Sequence, residues 1–239
     1  MKTVLITGGS RGIGSACVRA FYGAGYQVAF CYLHAKDEAL ALSKELIGTL
    51  AFQADVSSPD DVSRLVDETL SALGHIDVLV NNAGIAWAGL MTDMTDSEWD
   101  HLFDVNVKGT FLCCRAVMPQ MIRSQGGSIV NLSSIWGITG ASCEVAYSAS
   151  KAAVLGLTRA LAKEVGPCGI RVNCVAPGVI DTDMNIALDA HTLDTLREET
   201  PLGVLGTPAD VASAVLYLAS PQAGFVTGQV LSPNGGLVI

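Results

Sequence analysis

The chain has 239 residues, a formal net charge of −9 and 50% hydrophobic residues, but only 15% charged residues. This composition excludes a disordered chain, because disorder combines low hydrophobicity with many charges. The acidic balance also argues against nucleic-acid binding, which requires a basic surface. We therefore expect a folded protein without a nucleic-acid partner.

Neither a targeting signal nor a membrane span is expected. The apolar run before Gly8 is too short for the core of a signal peptide. Segment 211–239 carries no charged side chain, but prolines, glycines and amides interrupt it, and a spanning helix needs about 20 mostly apolar residues. The seven cysteines lack CxxC spacing and the four histidines are scattered. This pattern indicates reduced thiols in a cytoplasmic protein and no metal site.

Short apolar strands alternate with helices along the whole chain. In chain order, the predicted elements are strand 3–7, helix 12–22, strand 27–32, helix 36–47, strand 50–56, helix 60–73, strand 76–81, helix 96–124, strand 128–133, helix 145–165, strand 170–176, a helical or lid-like segment 183–200, helix 208–219 and strand 229–232. Strands that are apolar on both faces and separated by helices form parallel sheets covered on both sides. The pattern predicts one α/β domain over residues 1–239, a Rossmann-like doubly wound parallel sheet of about seven strands flanked by helices.

The strongest local signal follows the first strand, where the glycines of Thr7–Gly14 are spaced G-x-x-x-G-x-G. Glycines allow a tight turn and close approach of the backbone to a pyrophosphate. The N-terminus of the next helix adds free N–H groups and a partial positive charge. The loop predicts a dinucleotide site formed by Gly8, Ser10, Arg11, Gly12, Ile13 and Gly14.

The end of the second strand bears on the choice of dinucleotide. NAD-binding chains place an acid there for the ribose 2′-hydroxyl, whereas this chain has Tyr32 and His34 and no acid. Arg11 in the loop, with His34 and Lys36, offers the positive charge that a 2′-phosphate needs. We therefore predict NADP(H) as the cofactor, with Tyr32 and His34 among its contacts.

A candidate reaction centre lies later in the chain. Tyr147 and Lys151 are four residues apart on a predicted helix, which places both on one face. A nearby ammonium favours phenolate and lowers the phenol pKa, which suits proton exchange with an alcohol or carbonyl oxygen. Ser134 follows a predicted strand, at the edge of the sheet where ligands bind in doubly wound folds, and its hydroxyl can hold a carbonyl beside the tyrosine.

Taken together, these motifs resemble those of the short-chain dehydrogenase/reductase family. The motifs that carry the resemblance are TGGSRGIG, NNAG at Asn81–Gly84, Asn106, Ser134, Tyr147 with Lys151, and Pro177–Gly178. They span nearly the whole chain, in the family's order and spacing.

The resemblance implies a role for each of these residues. Tyr147 is the general acid that protonates a ketone oxygen, Lys151 holds the nicotinamide ribose and lowers the tyrosine pKa, and Ser134 orients the carbonyl. Asn106 holds a water in a proton relay to Lys151. The other implied cofactor contacts are Asp55, Val56, Asn82, Ala83 and Gly84 on the adenosine side, and Pro177, Gly178, Ile180 and Thr182 beside the nicotinamide.

Within the family, the chain is most similar to 3-oxoacyl-acyl carrier protein reductases. Arg11, the stretch PGVIDTDM and the ending with Asn234, Gly235 and Gly236 carry this similarity. It implies NADPH-dependent reduction of a ketone carried on a protein or thioester. It also implies a homotetramer, with segment 211–239 at a subunit interface.

Other functions stay open. The run SSIWGITGASCEVAYSASK also resembles reductases of the 5-aminopentanone group on elongation factor P, and Glu144 within it favours a cationic substrate.

The resemblance to carrier-protein reductases implies basic, carrier-docking side chains at positions 125 and 168. This chain has Gln125 and Cys168 there, which are not basic, although Arg123 and Arg171 lie nearby. An alcohol-oxidising dehydrogenase shares the same chemistry. A non-catalytic dinucleotide-binding regulator would tend to lose the Ser–Tyr–Lys set, which is intact here.

Overall fold

The computed structural model describes residues 1–182 and 190–239. Within these residues, seven strands form one sheet in the order β3-β2-β1-β4-β5-β6-β7, and every pairing is parallel. The strands are β1 (Thr3–Ile6), β2 (Gln27–Tyr32), β3 (Leu50–Gln53), β4 (Val78–Asn81), β5 (Gly127–Leu132), β6 (Ile170–Val175) and β7 (Val230–Leu231). The predicted doubly wound parallel sheet is confirmed.

Helices connect the strands and cover both faces of the sheet. They are α1 (Gly12–Gly23), α2 (Lys36–Glu45), α3 (Pro59–Leu73), α4 (Asp96–Phe103), α5 (Gly109–Ser124), α6 (Trp136–Thr139), α7 (Val145–Val165), α8 (Ala190–Glu199) and α9 (Pro208–Ala219). One buried cluster packs α1, α2 and α9 on one face, and a second packs α3, α5 and α7 on the other. Among the described residues, no helix has both the length and the hydropathy that a membrane crossing requires.

The largest difference from the predicted elements lies in the long helix 96–124. A π-helical turn over Asp104–Lys108 separates α4 from α5. Such turns arise where tertiary contacts disturb the regular hydrogen-bond ladder, and they are frequent at functional sites. Asn106 lies within this turn and is buried.

Two smaller differences concern the end of a strand and an additional short helix. β3 stops at Gln53 instead of residue 56, since Asp55 N donates to the Asp61 carboxylate (2.8 Å) and leaves the ladder. The short helix α6 was not predicted. Segment 183–200 was predicted to be helical or lid-like, and α8 within it is helical. Residues 183–189 lie outside the described residues.

The strand order reverses direction between β1 and β4, which are neighbours in the sheet. In doubly wound folds, ligands bind at the carboxyl edge beside such a switch point. Thr7 follows β1 and Asn82 follows β4, so the fold places the glycine loop and the NNAG motif at this edge.

Candidate functional site

The glycine loop lies against the end of β2 and the residues after β4. Gly9 N donates a hydrogen bond to Cys31 O (2.8 Å), which ties the loop to β2. At Gly14 there is no room for a side chain, since an added Cβ would lie 2.0 Å from Gly8 O and 2.6 Å from Asn82 Nδ2. The turn also needs glycine at position 8, where φ is +63°.

Asn82 holds this loop in place. Its Nδ2 donates to Thr7 O (3.0 Å) and Gly8 O (2.9 Å). In return, Thr7 Oγ1 accepts from the backbone N–H groups of Asn82 and Ala83 (both 3.0 Å). The Nδ2 group and the backbone N–H of Asn82 are therefore engaged within the protein. Its predicted contact on the adenosine side would have to use other atoms of this residue.

The residues at this edge fit a dinucleotide phosphate group. Within the described chain, the side chain of Arg11 at the N-cap of α1 makes no capping hydrogen bond to the first-turn amides. Arg11 itself is exposed. Thr182 lies over the loop, with its Cγ2 3.7 Å from the Cβ position of Gly12. Ser10 and Ile13 are half-buried in the same turn.

The adenosine side of the predicted site is built around Asp55. One of its carboxylate oxygens accepts from Ser57 N (2.8 Å) and Ser57 Oγ (2.7 Å), which fixes the turn before α3. Val56 and Tyr32 are each 7% exposed, whereas His34 is exposed. A nucleotide reaching this edge would therefore meet an ordered carboxylate and an exposed imidazole.

Ser134, Tyr147 and Lys151 meet at the carboxyl edge of β5. All three are buried, and Ser134 Oγ accepts from Trp136 N (3.2 Å). Lys151 Nζ lies 5.6 Å from the Tyr147 ring centroid and donates to Leu132 O (3.1 Å). Ser133 Oγ donates to Lys151 O (2.8 Å), which links the end of β5 to α7. The predicted catalytic set is thus brought together.

Burial controls the pKa values of this pair. It raises the pKa of Tyr147 to about 12, a rise that the Ser134 hydrogen bond opposes and the Glu144 charge increases. Burial also lowers the pKa of Lys151 to about 8. Desolvation is the largest cause of the Tyr147 shift, and Lys151 is not among its causes. That Lys151 lowers the phenol pKa stays a prediction. The Tyr147 phenol is neutral at pH 7.

Asn106 acts as a brace between two elements. Its Nδ2 donates to Ile85 O (2.9 Å) and Ser150 Oγ (3.0 Å), and its Oδ1 accepts from Ile85 N (2.9 Å). Ser150 Oγ in turn donates to Tyr147 O (2.8 Å). The π-turn is thereby joined to α7 at Tyr147. These bonds engage the Asn106 amide, so the proposed water relay would have to use other atoms of this residue.

Ala83 is half-buried after β4, and Gly84 marks the point where Asn106 and Lys151 converge. A Cβ at Gly84 would lie 3.1 Å from Asn106 Oδ1 and 3.2 Å from Lys151 Nζ. The predicted adenosine-side motif therefore continues directly into the reaction centre.

The predicted nicotinamide loop adjoins the same centre. Pro177 O accepts from Ile135 N (3.0 Å), next to Ser134. Gly178 packs against Asn234, and Ile180 is 5% exposed and forms a parallel bridge with Gly206. Contacts therefore hold the predicted nicotinamide loop on both sides of Gly178, at Pro177 and at Ile180.

Sequence reasoning did not single out two buried hydroxyl residues beside the candidate site. Ser150 and Ser133 are small hydroxyl residues whose partners lie far along the chain. The motif YSASK contains Ser150, but helical spacing alone does not reveal a bond to Asn106. Ser150 could have been noticed as a polar residue at a buried position of α7.

The Lys151 pKa leads to a pH prediction. Lys151 is an ammonium below about pH 8 and an amine above it, while Tyr147 stays protonated throughout. We expect kcat/KM for reduction, which reports free-enzyme groups, to fall about tenfold per pH unit above that point. In Lys151→Arg the guanidinium stays charged, so any residual activity should lack this inflection. A wild-type profile that is flat to about pH 10 would contradict the assignment.

Comparisons with known proteins agree with this geometry. A family model described as "Enoyl-(Acyl carrier protein) reductase" matches residues 8–238. Proteins called 3-oxoacyl-[acyl-carrier-protein] reductase FabG are similar over almost the full length. The one from Staphylococcus epidermidis is 42% identical, over 99% of this chain and 98% of that protein. The Staphylococcus aureus protein is 41% identical with the same coverage, and that of Chlamydia muridarum 43% over 99% and 97%.

Similarity of this extent, together with the Ser134–Tyr147–Lys151 geometry and the glycine loop, confirms the resemblance found in the sequence. The chain belongs to the short-chain dehydrogenase/reductase family of nicotinamide-dinucleotide-dependent oxidoreductases.

Proposed function

We propose that the chain is a cytoplasmic, NADPH-dependent ketone reductase of the 3-oxoacyl-acyl carrier protein reductase type. The observation that carries this proposal is the joint burial of Ser134, Tyr147 and Lys151 at the carboxyl edge of β5, with the glycine loop at the same edge of the sheet. The similarity to FabG proteins supports the substrate class.

The side chains fit the needs of a ketone oxygen. Ser134 and Tyr147 can each donate a hydrogen bond to it, and the neutral phenol can release its proton to the oxygen as negative charge develops. A bound nicotinamide supplies the hydride. Lys151, below its pKa of about 8, supplies positive charge beside the phenol after proton loss.

NADPH is favoured over NADH by the charges at the end of β2. The bond from Gly9 to Cys31 holds the loop beside this end, so Arg11 and His34 project at one edge. No acid occupies the strand end itself, where an NAD-binding chain places one. A guanidinium binds a phosphate through two parallel hydrogen bonds.

Arg11→Ala is therefore expected to weaken NADPH about 30-fold, since charge-assisted hydrogen bonds contribute about 2 kcal/mol. NADH affinity should change less than about threefold. Titration calorimetry with both dinucleotides measures the two affinities. The control is Arg19→Ala, which removes another guanidinium of α1, one that pairs with Glu45 of α2. Equal losses for the two dinucleotides would exclude contact with a 2′-phosphate.

The predicted carrier-docking positions lie away from the reaction centre of the same chain. Gln125 ends α5 and Cys168 precedes β6, so both are at the amino edge of the sheet. Arg171 donates to backbone carbonyls at the end of α9, those of Leu218 (2.6 Å), Ser220 (3.2 Å) and Ala219 (3.3 Å). The Arg171 guanidinium therefore caps the C-terminus of α9.

Glu144 favours a second candidate function, reduction of a ketone that carries an ammonium group, such as the 5-aminopentanone group on elongation factor P. It immediately precedes α7, and its charge contributes to the raised pKa of Tyr147. Partial burial raises the pKa of Glu144 itself. Among the described residues it forms no ion pair. A cation on the substrate would compensate this carboxylate.

A matched pair of ketones separates the two candidates. With NADPH, we compare acetoacetyl-acyl carrier protein, 5-aminopentan-2-one and its uncharged analogue hexan-2-one. If the second candidate is right, Glu144→Gln lowers kcat/KM about tenfold for the aminoketone and leaves hexan-2-one unchanged. Glu164→Gln, at the far end of α7, is the control. Equal effects on both ketones would exclude the second candidate, and no turnover of any ketone would exclude reductase activity.

We also propose a homotetramer. Large apolar side chains of the C-terminal region are exposed, namely those of Tyr217, Phe225, Leu231 and Ile239. A second exposed apolar pair, Phe111 and Ile122, lies on α5. Exposed apolar patches of this kind mark interaction surfaces. A monomeric mass in sedimentation equilibrium would overturn this proposal.

A further inference from the structure

The chain ends in a tight turn over Pro233–Leu237, here called the C-terminal turn. The Asn234 side chain fixes it by three hydrogen bonds. Its Nδ2 donates to Ser232 Oγ and Val238 O (both 2.8 Å), and its Oδ1 accepts from Gly236 N (2.7 Å). None of the residues from 233 to 237 is fully buried, so the turn is ordered by its own bonds more than by the core.

One side of the C-terminal turn holds the nicotinamide loop. Gly178 N donates to Pro233 O (3.1 Å). The two backbones are in direct contact, because a Cβ on Gly178 would lie 2.7 Å from Asn234 Cα. Movement of Asn234 would therefore move Gly178.

The other side holds the segment that follows α8. Leu202 N donates to Gly235 O (3.1 Å). A Cβ on Gly235 would lie 2.5 Å from Thr200 Cγ2, and one on Gly236 would lie 3.0 Å from Pro201 Cγ. Thr200 is only 5% exposed. The glycines thus let the turn approach this segment at van der Waals distance.

The two segments are also joined directly. Gly206 N donates to Val179 O (3.0 Å), and Asp181 N donates to Gly206 O (2.9 Å). The C-terminal turn, residues 177–182 and residues 200–206 are therefore each in contact with the other two.

We propose that the C-terminal turn sets the position of the nicotinamide loop, and that Asn234 is the positioning residue that fixes the turn. Asn234 acts through Gly178 and does not touch the reacting atoms. The inference rests on the proposed function only in placing Pro177–Thr182 beside a nicotinamide. A displacement of about 1 Å at such a loop lowers rate strongly even when the chemical groups are intact.

The first experiment compares Asn234→Ala with wild type in the full chain. We expect kcat to fall about tenfold, and amide hydrogen exchange in peptides covering 175–182 and 200–206 to quicken about tenfold. Binding of adenosine 2′,5′-bisphosphate, which requires only the adenosine side, should be unchanged. Asn234→Asp, which keeps the acceptor for Gly236 N, should recover part of the kcat. Gln229→Ala, an exposed amide in the same region, is the control.

A second variant addresses the contact itself. Gly235→Ala places a Cβ against Thr200 at a φ of +65°, whereas Gly25→Ala meets nothing within 4 Å at a φ of +81°. Only Gly235→Ala should quicken exchange in both segments. Unchanged exchange and kcat in Asn234→Ala, or faster exchange throughout the sheet, would overturn the proposal. If Asn234→Ala quickens exchange only in these two segments and the wild-type chain reduces no ketone, the role of the C-terminal turn is supported and the proposed function is refuted.

Discussion

Replacement of Tyr147 by phenylalanine is expected to lower kcat for ketone reduction about 10³-fold, the range of a lost general acid. In the proposed reaction the phenol, which is neutral because its pKa is about 12, donates the proton to the ketone oxygen. Removal of one oxygen leaves the ring among Leu102, Ala146 and their neighbours. NADPH affinity should therefore stay within about threefold of wild type. Stopped-flow rates and fluorescence titration measure the two quantities.

Tyr22→Phe is the matched control, since Tyr22 is a partly exposed tyrosine on α1. It should leave both rate and affinity unchanged. A Tyr147→Phe enzyme that retained more than about a tenth of the wild-type kcat would remove Tyr147 from the role of acid.

Gly14→Ala is expected to weaken NADPH about 100-fold and to lower the free energy of unfolding by about 1–3 kcal/mol, as overpacking does. The new methyl group would meet Gly8 O at 2.0 Å and Asn82 Nδ2 at 2.6 Å. Neither can yield easily, because Asn82 is held by Thr7 and Gly8. The glycine loop must therefore shift as a whole.

Gly23→Ala provides the comparison, on the same helix α1. At Gly23 an added Cβ meets nothing within 4 Å. The free energy of unfolding of Gly23→Ala should equal that of wild type or exceed it by about 0.5–1 kcal/mol, because alanine favours the helix more than glycine does. Its affinity for NADPH should be unchanged. Similar NADPH affinities for the two variants, measured by calorimetry beside thermal unfolding, would contradict the close-packed loop.

The sheet was predictable because its residues leave few alternatives. Stretches such as residues 4–6 and 28–32 are apolar at successive positions, and helices separate the strands. This pattern fits a parallel sheet covered on both faces. The order and spacing of the motifs, from Gly8 to Lys151, then predicted which edge of the sheet carries the site.

The π-turn at Asp104–Lys108 could not be predicted in the same way. Its sequence is compatible with a regular helix. What distinguishes it is that Asn106 bonds Ile85 and Ser150, which are distant in sequence. The identity of Ser150 as a link to Tyr147 was missed for the same reason.

The phenol pKa shows a different limit. Helical spacing correctly predicted that Tyr147 and Lys151 share a face, but spacing contains no information on burial. Both side chains are at most 8% exposed, and desolvation shifts each pKa toward the neutral form. The sign of the shift therefore required the packed structure.

Deuterium transfer tests the central claim most directly. The wild-type chain is incubated with acetoacetyl-acyl carrier protein and NADPH deuterated at the transferable position of the nicotinamide, and the product is analysed by mass spectrometry. We predict a 3-hydroxy product with one deuterium at the carbinol carbon, and no such product from Tyr147→Phe over the same time. Unconsumed NADPH with this thioester, with 5-aminopentan-2-one and with hexan-2-one would contradict the account.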